Sequence, residues 1–386
     1  MTERPTRPAT SPSSGPLKGT GVLLIAALVL GCASTANAGF SRDSTAALKD
    51  QISARGLDPE EVLVPFQLTE EMVNWAREAV PRSIPKQQQV DRLLEALIEL
   101  KGLNLAYRAD FTGTAREVFE LREANCLSFT HLFVAMARAL GLESYFLEVD
   151  DVETFSREGE LVIRAGHITA AAGPVHKPKI LEFSEFPATD YRQVRQISDL
   201  TAVALFYSNR GAEFLRTRDV EQAIWWLERA VLLDPELADG WVNLGVARRW
   251  SGDAKLAEAS YRQALEVDPQ TVAAYHNLAA LYRQQGDETA VRDLLALTDR
   301  RDNRNPYTYL QLGDISFRRG DLESAERFYR RSMRLDPELA AAHAALGQWA
   351  FQAGRQREAR KRLRQARRLD PEEQRVQALN AMIHNQ

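Results

Sequence analysis

The chain has 386 residues, a formal net charge of −4, 45% hydrophobic residues and 26% charged residues. That balance excludes wholesale disorder, gives no support to nucleic-acid binding and leaves room for two or three domains. Two cysteines, Cys32 and Cys126, are too few for a disulfide framework, and one thiol with scattered histidines cannot close a zinc site, so neither metal nor cofactor is expected.

Residues 1–20 are polar, with Arg4, Arg7 and Lys18, and are followed by the uncharged run GVLLIAALVLG, Gly21 to Gly31. This run is shorter than the roughly 20 apolar residues of a spanning helix and matches the basic lead and apolar core of a secretory signal peptide. Two cleavage sites compete. VLGC (29–32) resembles a bacterial lipobox, which would lipidate Cys32, leave the chain on the periplasmic side of the envelope and, with no aspartate after Ala33, lean toward the outer membrane. ANA-GF resembles an ordinary site that would release the protein after Ala38. The expected organisation is a signal segment over 1–31, a tether over 32–60, a first domain over 61–198 and a second over 199–386.

In the first domain, LTEEMVNWAREAV reads as a helix capped by Thr69, and QQQVDRLLEALIEL as a helix with Val90, Leu93, Leu94, Leu97 and Ile98 on one face. CLSFTHLFVAMARALG reads as a buried helix ending at Gly141, with Cys126 at or just before its first turn. The partial positive charge of a helix N-terminus favours thiolate, the nucleophilic form. Strands are expected at 143–150, 160–172 and 179–186. On a two-residue period His167 shares a face with Ile163 and Ala165, and Glu182 shares one with Ile180 and Ser184, opposite Leu181 and Phe183. A thiol at a helix start, a strand histidine and a strand carboxylate follow the order of a Cys–His–acid triad, in which His167 takes the Cys126 proton and Glu182 orients the imidazole. Asp190 is a second acid candidate, and His131 and His176 are rival histidines; His131 lies about 140° around the helix from Cys126.

The block from YRADF to YFLEV, with GHITA and KILEFSEF after it, resembles the bacterial transglutaminase-like superfamily, over about residues 65–195. The resemblance implies a papain-like α+β core with a nucleophilic cysteine on a helix and its partners on adjoining strands. It also implies peptidase, amidase or acyl-transfer chemistry, or an inactive descendant. Two positions depart from the family: Ala124 stands where glycine is frequent, and Glu182 where aspartate is usual.

The second domain is periodic. LLDPE (232–236), EVDPQ (266–270) and RLDPE (334–338 and 368–372) align Asp234, Asp268, Asp336 and Asp370, with Asp302 completing a 34-residue spacing. This is the tetratricopeptide (TPR) signature and predicts an all-α solenoid of five repeats, starting near 204, 238, 272, 306 and 340, with a cap over 372–386. A small residue in each first helix (Gly211, Gly245, Ala279, Gly313, Gly347) lets the second helix approach closely, and a large apolar or aromatic residue recurs in the second (Leu227, Tyr261, Leu295, Tyr329, Leu363). The third repeat departs most, with Thr298 where a small residue is usual, and a looser junction is expected there. First helices line the concave side of such arrays, so Asn209, Asn243, Asn277, Arg249, Arg283 and Phe317 are the expected binding residues for a protein or peptide. The stretch RQREARKRLRQARR (355–368) is strongly basic and reads as a solvated face, or one turned to anionic lipid or an acidic partner. Two functions fit: an envelope-anchored thiol hydrolase or acyl transferase with a TPR recruiting surface, and a non-catalytic assembly factor on the same folds.

Overall fold

The computed structural model describes residues 42–158, 161–181, 183, 194–299, 306–318 and 320–384, with side chains excepted at 42–44, 150–158, 161–167, 295, 296, 298 and 299. The signal segment, Cys32, Ala38, Glu182, Asp190 and Asp302 therefore lie outside the described residues, as do the side chains of His167, Leu295 and Thr298.

The first described element differs from the expected tether. Residues Arg42–Ala54 form helix α1, because Leu48 and Ile52, four apart, present one apolar ridge. That ridge is buried with Val203 and Phe206 of the first repeat. Helix α2 (Glu70–Ala79) starts at Thr69, whose hydroxyl accepts the Met72 N–H. Helix α3 (Lys86–Ile98) buries Val90, Leu93 and Leu97, while Ile98 at its end is exposed. The short strand β1 (Ala106–Tyr107) pairs in parallel with β2 (Glu123–Ala124), and α4 (Ala115–Leu121) lies between them, opened by a Thr114–Glu117 capping box.

Helix α5 (Cys126–Ala139) is the axis of the first domain: every residue from Leu127 to Ala137 is buried. Gly141 ends it at φ +76°, a conformation that costs glycine little. A four-stranded antiparallel sheet, ordered β5-β4-β3-β6, covers it: β3 (Ser144–Glu158), β4 (Leu161–Ala172), β5 (Lys179–Leu181) and β6 (Val194–Ile197). β3 runs well beyond the expected strand at 143–150, passing through a register shift between the pairs Val149–His167 and Thr154–Ala165. Alternation sorts the sheet into two faces. Phe146, Ile168, Ala170, Ala172, Leu181 and Ile197 join the core around α5. Tyr145, Leu147 and Ala171 cluster on the other face with Ile180.

The second domain is the helical solenoid. Its helix pairs are α6 (Asp199–Arg216) with α7 (Val220–Leu233), α8 (Ala238–Trp250) with α9 (Ala254–Val267), α10 (Val272–Gln284) with α11 (Glu288–Asp299), α12 (Pro306–Arg318) with α13 (Leu322–Leu335), and α14 (Ala340–Gln352) with α15 (Gln356–Leu369), followed by α16 (Gln374–His384). α6 begins earlier than position 204 because Ser198 caps it, its hydroxyl accepting the Thr201 N–H. The small residues of the first helices are needed for space: a Cβ on Gly211 would stand 2.5 Å from Leu227 Cγ, and Gly245 and Gly313 are covered in the same way by Tyr261 and Tyr329. At Gly347 the covering side chain is Leu379 of α16. Within four of the pairs the turn is a glycine at positive φ; in the first pair Arg218 holds that position at φ +64°, with its guanidinium 3.8 Å from the centre of the Trp250 ring. The stacking offsets a left-handed cost of about 1–2 kcal/mol.

Candidate functional site

Cys126 is the first residue of α5, half-buried and free. Its position is set by the residue before it. Asn125, 6% exposed, turns its Oδ1 onto the Ser128 N–H at 2.8 Å and onto the Ser128 hydroxyl at 2.8 Å. The Asn125 Nδ2 donates to Thr112 Oγ1 at 3.0 Å, and the Gly113 N–H donates to Ser128 Oγ at 2.9 Å. One turn inward, the Thr130 hydroxyl donates to the Cys126 carbonyl at 2.7 Å. The loop 108–114 and the helix start are thus one hydrogen-bonded unit. A helix start leaves its first N–H groups without intrahelical acceptors, which is the chemistry that stabilises developing negative charge beside a nucleophile.

This unit continues into the solenoid. Glu213 of α6 accepts the Thr112 N–H at 2.6 Å, and Arg210 donates to the Thr112 carbonyl at 3.3 Å and to Glu213 at 3.3 Å. Burial pushes the Glu213 carboxyl upward, against the pull of Thr112 and Arg210. None of Thr112, Ser128, Arg210 and Glu213 stands out in the sequence. Thr112 and Glu213 are 101 positions apart, and no local spacing links them; the only legible member is Asn125, a residue suited to N-caps before an apolar run. A second tie joins Arg138 of α5 to Asp199, with two bonds of 2.8 and 2.9 Å.

The other triad positions are defined only in part. The His167 backbone pairs with Val149, and Leu181, just before Glu182, pairs with Ala170. On β5 and just beyond, Leu181 and Phe183 face α5, Phe183 stacking on Phe129 with ring centres 4.4 Å apart, while Ile180 belongs to the opposite face. Cys126 is therefore the one member of the three whose surroundings are defined. The rival histidines are not beside it. His131 is fully buried between Phe66, Phe146 and Phe206, and burial lowers its imidazole to about 3, with the Ala202 backbone opposing. His176 is exposed in a turn.

On the solenoid, Asn209, Asn243, Arg249, Arg283 and Phe317 are half-buried on the first helices of their repeats. Asn243 Nδ2 donates to Ser208 Oγ at 3.4 Å. Asn277 has no exposed surface, so the carboxamide at this position does not face solvent. Among the described residues no group of His, Cys, Asp and Glu could hold a metal ion, and no described helix is long and apolar enough to cross a membrane.

Comparison with known families agrees with this division. The transglutaminase-like superfamily core matches residues 73–153, and tetratricopeptide repeat models match 238–271 and 306–372. A comparison with curated proteins returns no significant match. Solved structures resemble part of the chain. The APC/C hetero-tetramer Cut9-Hcn1 is 18% identical, with 47% of this chain and 36% of that chain covered and a TM-score of 0.42. The chain thus spans only about a third of that relative's length. Pseudomonas aeruginosa pilF is 20% identical, with 47% and 83% covered and a TM-score of 0.43. YrrB, described as a TPR protein with an unusual peptide-binding site, is 17% identical, with 46% and 91% covered and a TM-score of 0.35. The chain therefore carries a transglutaminase-like domain followed by tetratricopeptide repeats.

Proposed function

We propose that the protein is a thiol-dependent hydrolase or acyl transferase acting on peptide or amide bonds, with the solenoid recruiting the protein that carries them. The observation that carries this reading is Cys126, a free half-buried thiol at the first position of a helix start held by Asn125 and Thr112. In the proposed reaction Cys126 Sγ attacks the carbonyl carbon, and the thiol proton passes to His167 and then to the departing amine. The acyl group remains on sulfur as a thioester. Water in hydrolysis, or an amine in transfer, takes the acyl group and returns the proton to the thiol. Glu182 is assigned the imidazole-orienting role. The repeats support protein or peptide binding; Asn209, Asn243, Arg249, Arg283 and Phe317 are the proposed contacts, and the buried Asn277 is not among them.

We assign the chain to the periplasmic side of a bacterial envelope, anchored through a lipid on Cys32, on the strength of the apolar run ending in VLGC. Fatty-acid labelling that disappears in Cys32→Ala supports the anchor; labelling that persists rules it out.

A second reading, a non-catalytic assembly factor, is favoured by Ala124 and Glu182, which stand where the resembled family has glycine and aspartate. One experiment separates the two. An electrophilic thiol probe should label the wild-type protein and lose its label in both Cys126→Ala and His167→Ala. Labelling unchanged by His167→Ala, together with full function of Cys126→Ala in cells lacking the native gene, selects the assembly factor.

A further inference from the structure

Helix α15 is an outer, second helix of the last repeat, and its sequence QREARKRLRQARRL sorts by face. Ala359, Leu363 and Ala366 are buried. At 100° per residue, Arg357, Arg360, Lys361, Arg364, Arg367 and Arg368 fall within about 120° of arc on the opposite side. All six are exposed, and the only other exposed residue of the helix is Gln356. None of the six has an ion-pair partner among the described residues; the acid of this helix, Glu358, is engaged by Arg330, Arg355 and Arg362 instead. The result is a straight line of uncompensated positive charge about 20 Å long, on a chain whose formal net charge is −4.

We propose that this stripe is a docking surface for an anionic lipid membrane. Its composition selects the occupant. A specific protein interface needs a central aromatic or aliphatic anchor in a pocket, and no apolar side chain is exposed among these cations. A single-stranded nucleic-acid site needs stacking platforms between its charges, and none is present on the helix. On the neighbouring outer helix, Arg330 is neutralised by Glu326 and Glu358, while Arg327 and Arg334 are exposed there. A line of delocalised charge without anchors matches the delocalised charge of lipid headgroups, to which arginine donates in pairs.

The test uses the full chain carrying Cys32→Ser, so that no acyl group contributes. Co-sedimentation is measured with vesicles of phosphatidylcholine alone and of equal parts phosphatidylcholine and phosphatidylglycerol. Binding is expected to be stronger to the anionic vesicles, and that excess should fall steeply with salt. Each charge removed should cost about fivefold, so the variant Arg357→Gln/Arg360→Gln/Lys361→Gln/Arg364→Gln should lose several hundredfold of the excess. Its circular dichroism should be unchanged, since glutamine is a good helix former. Equal binding to both vesicle types, or an excess indifferent to the four substitutions, overturns the proposal. So does stripe-dependent binding to duplex DNA or poly-glutamate without an anionic-vesicle excess.

Discussion

The Thr112 N–H of the first domain donates to the Glu213 carboxylate of the solenoid's first helix at 2.6 Å, and the Thr112 hydroxyl accepts from Asn125, the residue that caps the Cys126 helix. The repeat array and the candidate nucleophile are therefore three residues apart along one buried polar chain. Glu213→Ala leaves the Thr112 N–H without its acceptor and Arg210 without its carboxylate partner, and is expected to destabilise the protein by about 1–3 kcal/mol in chemical denaturation. Glu213→Gln keeps an oxygen acceptor and should be milder. The wild type has a carboxyl raised by burial, so its folded state holds the proton to higher pH than the unfolded chain does. Relative to Glu213→Gln, wild-type stability should fall as pH rises from the unfolded carboxyl's value of about 4.5 through the raised folded one. A constant difference across that range would show that burial does not govern Glu213. The rate of Cys126 alkylation in Glu213→Ala should also change, because the loop that holds its cap has lost a tether.

His131 predicts the opposite slope. Its imidazole is lowered to about 3 by burial among aromatic rings, so the unfolded chain binds a proton, from about pH 6.5 downward, that the folded chain excludes. The stability tied to this residue is present above pH 6.5 and is lost as pH falls toward 3, at up to about 1.4 kcal/mol per pH unit. His131→Leu removes the proton uptake. Urea denaturation at pH 7 and pH 5 should show a smaller acid loss in the variant than in the wild type. An equal loss would mean that the imidazole is hydrated or paired in the folded state.

The helix pairs of the solenoid predict a steric effect. Gly211→Ala places a methyl group 2.5 Å from Leu227 Cγ, inside van der Waals contact on a residue that is fully buried. Overpacking of this kind costs about 1–3 kcal/mol, more than alanine's helix propensity returns. The thermal midpoint should therefore drop, and Gly211→Ala combined with Leu227→Val should recover part of the loss by making room. A raised midpoint in the single variant would disprove the close approach.

Much of the solenoid could be read before any coordinates. The 34-residue spacing of its aspartates places the starts of α8, α10, α12 and α14 at Ala238, Val272, Pro306 and Ala340, because each repeat solves the same local packing problem. Thr69 and Gly141 bound their helices through local backbone chemistry, and are legible for that reason. α1 was not legible, since Leu48 and Ile52 form a ridge too short to declare itself without the partner that covers it. Nor was the length of β3, which depends on pairing with β4 across the register shift.

For the candidate site the division is sharper. The sequence by itself determined that Cys126 stands at the start of an apolar helix, because capping and periodicity act over a few residues. It also determined the repeat period and the basic composition of α15. Only the tertiary structure decided that Asn125 is held by Thr112 and Thr112 by Glu213, that Asn277 is buried, and that Leu379 of α16 fills the space over Gly347. Those relationships join residues from different elements, and such contacts form only when the whole chain packs.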